Sequence, residues 1–263
     1  MAIRVLVCGA AGRMGQEVVR AVSKEADLQL VAAVDQSRVG EDIGEVVGLG
    51  SKEIAITNDL AGVIAAGQPQ VMVDFTIPAS VLANLRVALA RKVACVVGTT
   101  GLSQENLAEI SQLCTDNDTP CFIAPNFAIG AVLMMQFATQ AAKYFPKAEI
   151  VELHHDKKLD APSGTALLTA KKMLAEPDCA LEQETIVGEQ EPRGQLFDGR
   201  LRVHSLRLPG LVAHQEVIFG GVGQTLTVRH DSLSRESFMP GVVLAVRKVG
   251  GLSGLVIGLE NLL

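Results

Sequence analysis

Short apolar strands alternate with segments of helical periodicity over the first half of the chain, which points to a parallel sheet covered on both faces. A glycine-rich turn closes the first strand, and three β-like runs divided by turn residues come later. Together these predict an α/β protein: a Rossmann-like doubly wound parallel sheet domain plus a smaller α+β domain with a mixed sheet.

In chain order, Ile3-Arg-Val-Leu-Val-Cys-Gly9 reads as an apolar strand ending in glycine. Val18, Val19 and Val22 share one face of an amphipathic helix over 14–22. A second strand over 28–34 is closed by Asp35, and further strands are expected at 70–75, 93–97 and 119–124. Between them, 80–91 and 103–117 carry helical spacing. Beyond Asn126 the texture changes. A long helix at 130–144 leads to a strand at 148–155, and another helix follows over 163–175. The polar stretch 176–200, broken by Pro177, Gly188, Pro192, Gly194 and Gly199, is expected to be a long loop. The three β-like runs at 201–208, 214–220 and 224–230 are separated by Pro209-Gly210 and Gly220-Gly-Val-Gly223, which read as antiparallel turns. A last helix, from Ser234 or Arg235 to 249, could return with the tail to the first domain.

Composition excludes several classes of function. At 263 residues the chain can hold two modest domains with real cores. Hydrophobic residues make up 48% and charged residues 20%, as in globular proteins. With no Trp, one Tyr and eight Phe it lacks the aromatic platforms of single-strand binders, and a net charge of −6 gives no pull toward a polyanion. No nucleic-acid partner is expected. Cys8, Cys95, Cys114, Cys121 and Cys179 show neither CxxC nor Cys/His metal spacing; they read as reduced thiols, and no metal is expected. The chain enters its first strand without a basic stretch and apolar signal core. The longest apolar run, 127–142, is interrupted by Gln136 and Gln140 and is too short to span a bilayer. A soluble, cytoplasmic protein without a membrane partner is therefore expected; a plastid location would apply to a plant source, but no transit peptide is visible.

Gly9-Ala-Ala-Gly12-Arg-Met-Gly15 follows the first strand and opens the first helix. Glycine permits the tight turn and lets backbone N–H groups approach a pyrophosphate at the helix start. The spacing is GxxGxxG, and the context of strand, helix and Asp35 twenty residues past Gly15 strengthens it. A carboxylate at that place accepts hydrogen bonds from a ribose 2′-hydroxyl and repels a 2′-phosphate. Gln36 stands where an arginine would hold that phosphate, although Arg38 is close, so NADH should be well accepted. Asp74-Phe-Thr76 and Gly98-Thr-Thr-Gly101 leave the carboxyl ends of later strands, where ligands of such sheets sit.

The densest chemistry lies in Glu152-Leu-His-His-Asp-Lys-Lys-Leu-Asp-Ala-Pro-Ser-Gly-Thr165. His154 and His155 end a strand, so their side chains point to opposite faces and their roles should differ. Ser163 and Thr165 lie at a helix start, where the N–H groups of Gly164 and Thr165 can receive a carboxylate. Lys158 is a candidate proton donor if neighbouring cations ease its deprotonation. Asp156 and Asp160 suit orienting or capping, and Lys157 a solvated charge.

That segment resembles the signature E-x-H-H-x-x-K-x-D-A-P-S-G-T-A of the 4-hydroxy-tetrahydrodipicolinate reductase family, also called dihydrodipicolinate reductase. The resemblance extends to Gly9 through Gly15, Asp74-Phe-Thr76, Gly98-Thr-Thr-Gly101, Asn126-Phe127 and the late run His230-x-x-x-Ser-Arg235-x-x-Phe238-x-x-Gly241. It implies an enzyme of the diaminopimelate route to lysine that reduces a cyclic imine dicarboxylate with NADH or NADPH. By position, His154 resembles the family's catalytic proton donor/acceptor and Lys158 its proton donor. His155, Gly164 and Thr165 resemble the substrate-carboxylate contacts, with Ser163 beside them. Gly9, Ala10, Ala11, Gly12, Arg13, Met14, Asp35, Gly98, Thr99, Thr100, Ala124, Pro125, Asn126 and Phe127 match cofactor positions. The family also implies a dinucleotide-binding domain over 1–127 and 240–263, a substrate-binding and oligomerisation domain over 128–239, and a homotetramer formed through the second sheet. Two departures stand out: Ile77 follows Asp-Phe-Thr where members often carry a basic residue, and Pro125 replaces a more usual small residue.

Two rival readings stay in view. Another two-domain NAD(P)-dependent reductase shares the glycine loop; an aspartate-semialdehyde dehydrogenase would need a nucleophilic cysteine in the second domain, where only Cys179 lies. A homoserine dehydrogenase would not call for His-His-x-x-Lys beside Ser-Gly-Thr. A non-catalytic NADH-binding redox sensor would need an effector or DNA-binding segment, and no basic helix-turn-helix pattern stands out.

Overall fold

The computed structural model of the chain describes residues 2–184 and 193–263. Two compact units are present, Met1–Phe127 with Phe238–Leu263, and Ala128–Ser237. The chain first runs through β1 (Ile3–Cys8), α1 (Arg13–Lys24), β2 (Leu28–Val34), α2 (Ile43–Val46), β3 (Ile56–Thr57), α3 (Leu60–Gly67), β4 (Val71–Asp74), α4 (Pro78–Leu89), β5 (Ala94–Val97), α5 (Gln104–Asp116) and β6 (Cys121–Ile123). The second unit holds α6 (Ile129–Ala141), β7 (Lys147–His154), α7 (Gly164–Leu174), β8 (Gln195–Phe197), β9 (Leu201–Arg207), β10 (Ala213–Gly221) and β11 (Gln224–Ser232). The first unit is then completed by α8 (Met239–Val249) and β12 (Leu255–Ile257).

The first sheet has the order β12-β6-β5-β4-β1-β2-β3, and every pairing in it is parallel. From β1 the chain steps one way through β2 and β3, and the other way through β4, β5 and β6. The switch point therefore falls between β1 and β4, where the carboxyl ends of both strands open a crevice. The central strands are apolar on both faces because helices cover both. Leu6, Cys8, Met72, Cys95 and Val97 pack with Val81, Leu85, Leu89 and Ile110 of the helices in one core. Helix α8 buries Met239, Val242, Val243, Val246 and Val249 and packs on α1 and β5.

The second unit carries the mixed sheet β11-β10-β7-β9-β8, in which β7 pairs parallel to β9 and antiparallel to β10. Alternation sends Ile150, Val203, Val217 and Phe219 into a core shared with Ala138 of α6 and Ala166, Ala170 and Met173 of α7. Glu152 lies on that same face, two residues beyond Ile150.

Three sequence expectations are corrected. Pro209-Gly210 does not turn a hairpin: the chain reverses there, but β7 lies between β9 and β10. A turn signal gives reversal of direction, not adjacency. The expected loop 176–200 contains β8, antiparallel to β9, while its residues 185–192 fall outside those described. The last helix does not begin at 234–235: Arg235–Phe238 is a 3-10 turn and the α-helix starts at Met239. Pro240 explains this, since it lacks an N–H and suits only the first turn of a helix. Helices α2 and α3 and strands β3 and β12 had no expectation; both strands are of two or three residues, too short to show a period.

Candidate active site

At the first crevice, β1 ends in Gly9, whose φ of +76° is open to glycine alone at little cost, and whose N–H donates to the Val34 carbonyl (2.8 Å). A Cβ on Gly15 would overlap the Gly9 carbonyl, so the turn closes only with glycine there. Helix α1 starts from Gly12 without a side-chain cap. Its first-turn N–H groups have no intrahelical acceptor, which suits a phosphate. Asp35 ties this loop to β2: its carboxylate accepts from the Ala11 N–H (3.0 Å), the Ser37 N–H (2.9 Å) and the Ser37 hydroxyl (2.8 Å). Beside them lies a cavity of about 280 Å³ lined by Gly9, Gly12, Asp35, Gln36, Thr76, Ile77 and others. An uncapped helix start, a backbone that excludes side chains and an adjoining carboxylate-lined cavity fit a dinucleotide.

Of the other expected cofactor residues, Ala10 is buried, and Arg13 and Met14 form the first turn of α1. Gly98 follows β5, and a Cβ there would overlap the Phe75 ring. Thr99 is turned inward: its hydroxyl donates to Asp74 (3.0 Å), as do the Thr76 hydroxyl (2.7 Å) and the Asn84 amide (2.8 Å). Thr100 is exposed at the strand end, Ala124 is buried behind β6, Pro125 is exposed, Asn126 is half-buried, and Phe127 is buried against Phe75 with centroids 5.7 Å apart. Ser80 and Asn84, one helical turn apart on α4, line the cavity and were not anticipated. Their signal, polar residues at i and i+4 after a strand end, is common to ordinary solvated helices.

In the second unit, His154 ends β7 and is half-buried. Its Nδ1 lies 2.5 Å from Oε2 of Glu152, a carboxylate with no exposed surface. The same carboxylate accepts both Nη groups of Arg207 (2.9 and 2.8 Å) and the Ser163 N–H (3.1 Å). Burial pushes the Glu152 carboxyl up, but Arg207, Ser205 and His154 outweigh it and hold the group below its ordinary range. Burial pushes the His154 imidazole down; the Glu152 carboxylate opposes this, and Lys158 and Arg207 add to it, leaving it below the usual histidine value. Arg207 was not anticipated: it comes from β9, opposite His154 in the parallel register, and no local pattern marks it. Glu152 was given no role from the sequence either, although period two puts it on His154's face.

His155 is exposed beyond the strand, and its carbonyl accepts the Lys158 N–H in a tight turn (3.1 Å). The Lys158 ammonium is paired with Asp160 (2.7 and 2.8 Å) and holds that carboxyl below its usual range. Ser163 is buried and caps α7 through its hydroxyl, which accepts from the Ala166 N–H (3.2 Å). Gly164 and Thr165 form the first turn. A Cβ at Gly164 would meet nothing within 4 Å, so the space before this helix start is open. His154, Lys158 and that open helix start therefore all belong to one unit. Among the described residues no cluster of three or more His, Cys, Asp or Glu side chains forms a metal site, and no helix is long and apolar enough to cross a membrane.

Comparison with known proteins matches both parts of the chain. The model for "Dihydrodipicolinate reductase, N-terminus" matches residues 3–127 and that for its C-terminus residues 130–263. The 4-hydroxy-tetrahydrodipicolinate reductase of Moorella thermoacetica is 55% identical over 265 residues, covering 99% of this chain and 98% of that one. The enzyme of the same name from Synechocystis is 51% identical over 273 residues, with 99% and 98% covered. Among solved structures, the dipicolinate-bound dihydrodipicolinate reductase from Paenisporosarcina sp. TG-14 superposes with a TM-score of 0.87 at 43% identity over the whole of both chains. An amine dehydrogenase from Mycobacterium smegmatis shares the fold at 14% identity and a TM-score of 0.68.

Proposed function

The chain belongs to the dihydrodipicolinate reductase family, and on that premise we propose how its two sites divide the chemistry. It is an oxidoreductase that reduces 4-hydroxy-tetrahydrodipicolinate to tetrahydrodipicolinate in the diaminopimelate route to lysine. The net reaction takes up one hydride and one proton and releases one water. NADH or NADPH, when bound, supplies the hydride.

The first unit holds the dinucleotide. Gly9, Ala10, Ala11, Gly12, Arg13 and Met14 receive its pyrophosphate at the start of α1, and Asp35 takes a ribose hydroxyl. Gly98, Thr99 and Thr100 with Ala124, Pro125, Asn126 and Phe127 border the nicotinamide end. The Asp35 carboxylate disfavours a 2′-phosphate and Gln36 adds no cation, so NADH is used at least as well as NADPH. On the second unit His155, Gly164 and Thr165, with Ser163 beside them, hold the substrate's carboxylates and so fix the ring. His154 and Lys158 move the proton that accompanies hydride transfer. The observation that carries this reading is His154 and Lys158 beside the open, capped start of α7. The chain works as a homotetramer through the second sheet's outer face, where Glu149, Val151 and Leu153 of β7 lie away from the α6–α7 core.

The test is nicotinamide oxidation with enzymatically generated substrate, NADH and NADPH in parallel. His154→Gln and Lys158→Ala should each lower kcat by about 10²-fold or more while cofactor KM moves little. Unchanged kcat in both would remove the assignment.

A further inference from the structure

We propose that Glu152 and Arg207 are a positioning pair: the buried carboxylate fixes His154 with its proton on Nδ1, which makes Nε2 the reacting nitrogen, and the guanidinium holds that carboxylate in place. This rests on His154 being the proton-transfer residue proposed above.

Glu152 is wholly buried, and two parallel bonds from Arg207 keep it ionised there. An ionised carboxylate only accepts, so at 2.5 Å the hydrogen between it and His154 belongs to Nδ1. A neutral imidazole protonated at Nδ1 carries its lone pair on Nε2, which points away from Glu152. The carboxylate's other oxygen takes the Ser163 N–H, the residue that caps α7. One side chain thus fixes both the proton-transfer ring and the helix start beside it. Arg207 extends the device, since it also donates to the Asp160 carbonyl (2.7 Å), and Asp160 holds Lys158. His154, Glu152, Arg207, Asp160 and Lys158 form one continuous chain of bonds. An ion pair serving only to join β7 to β9 would need neither the histidine nor the helix cap as further partners, and replacing a buried pair by apolar groups often costs no stability. Arg207 even leaves its own Nε buried without a partner among the described residues in order to fork onto Glu152.

The charged groups facing His154 are Glu152 on its own strand, Arg207 from β9 and Lys158 from the following loop, while Ala213, its register partner on β10, carries none. The two members of the pair therefore act on the ring with opposite sign. Glu152→Gln removes the attraction that favours the imidazolium and turns an amide N–H toward Nδ1, so His154 should titrate at lower pH and shift its proton to Nε2. Arg207→Met removes a repulsion, so His154 should titrate at higher pH. Both are read by NMR of the ring nitrogens of the free, folded protein, with the pH limb of kcat moving in the same directions. In Glu152→Gln, kcat should fall by about 10²-fold with substrate KM changed much less. Arg207→Lys should keep the His154 midpoint nearer the parent than Arg207→Met does. If Glu152→Gln fails to fold, the two Arg207 variants decide the question through that ordering. Unchanged ring-nitrogen shifts in folded variants, or midpoints that move in the same direction in both, would overturn the pair's role. Normal kcat in His154→Gln would instead sink the underlying functional reading, leaving the titration result standing by itself.

Discussion

Within the Glu152–Ala166 segment, what could be read from sequence is what strand period and helix capping control. Period two separates His154 from His155 and puts Glu152 under the former; the Ser-Gly-Thr order marks Ser163 as a cap. Arg207 could not be read, because its place depends on how β9 registers against β7, a property of the whole sheet. Asp160, expected to orient or cap, pairs with Lys158. Gly164 offers a clean separation of fold from function. A Cβ there meets nothing within 4 Å, its φ is not in the left-handed region, and a helix start tolerates alanine. Gly164→Ala should therefore leave the urea midpoint unchanged or slightly raised. Substrate KM should rise by about tenfold if a carboxylate docks against that turn. An unchanged KM would show that the ligand approaches elsewhere.

Among the elements, the long strands and helices were legible because each buries a face with a regular period, as Val18, Val19 and Val22 do on α1. Short pieces were not: β3 and β12 are held in place by the neighbouring strand rather than by their own pattern. The misplaced start of α8 shows a local rule, the proline at position 240, overriding an apolar periodicity that runs on either side of it. Helix α8 also contains a close approach that no pattern announces. A Cβ on Gly241 would overlap the Phe127 carbonyl oxygen. Gly241→Ala should cost about 1–3 kcal/mol or more, because a backbone atom cannot step aside. Gly250→Ala, at the end of the same helix, places its Cβ in open space and should be nearly neutral. Thermal or urea unfolding of the two variants in parallel checks this, and equal losses would refute the steric account.

At the level of the molecule, one unit is continuous in sequence and the other is not: Ala128–Ser237 lies between two stretches that fold together. The continuous unit has its own core, from Ala138 to Phe219. The discontinuous one draws α8, with Val242, Val246 and Val249 fully or nearly buried, and the edge strand β12 from its second stretch. Removing residues 238–263 should therefore abolish nicotinamide binding and hydrogen-exchange protection of β4, β5 and β6, while β7, β9 and β10 stay protected. Retained protection in β5 and β6 would contradict this. The pairing of β12 with β6 also sets an order on the ribosome. Six strands of the parallel sheet are made early, yet β6 keeps an open edge until β12 emerges, while everything the inserted unit requires has already been synthesised. The nascent chain thus carries an unpaired, apolar strand edge through the synthesis of the entire inserted unit, the interval in which it is most exposed to misassembly with its neighbours.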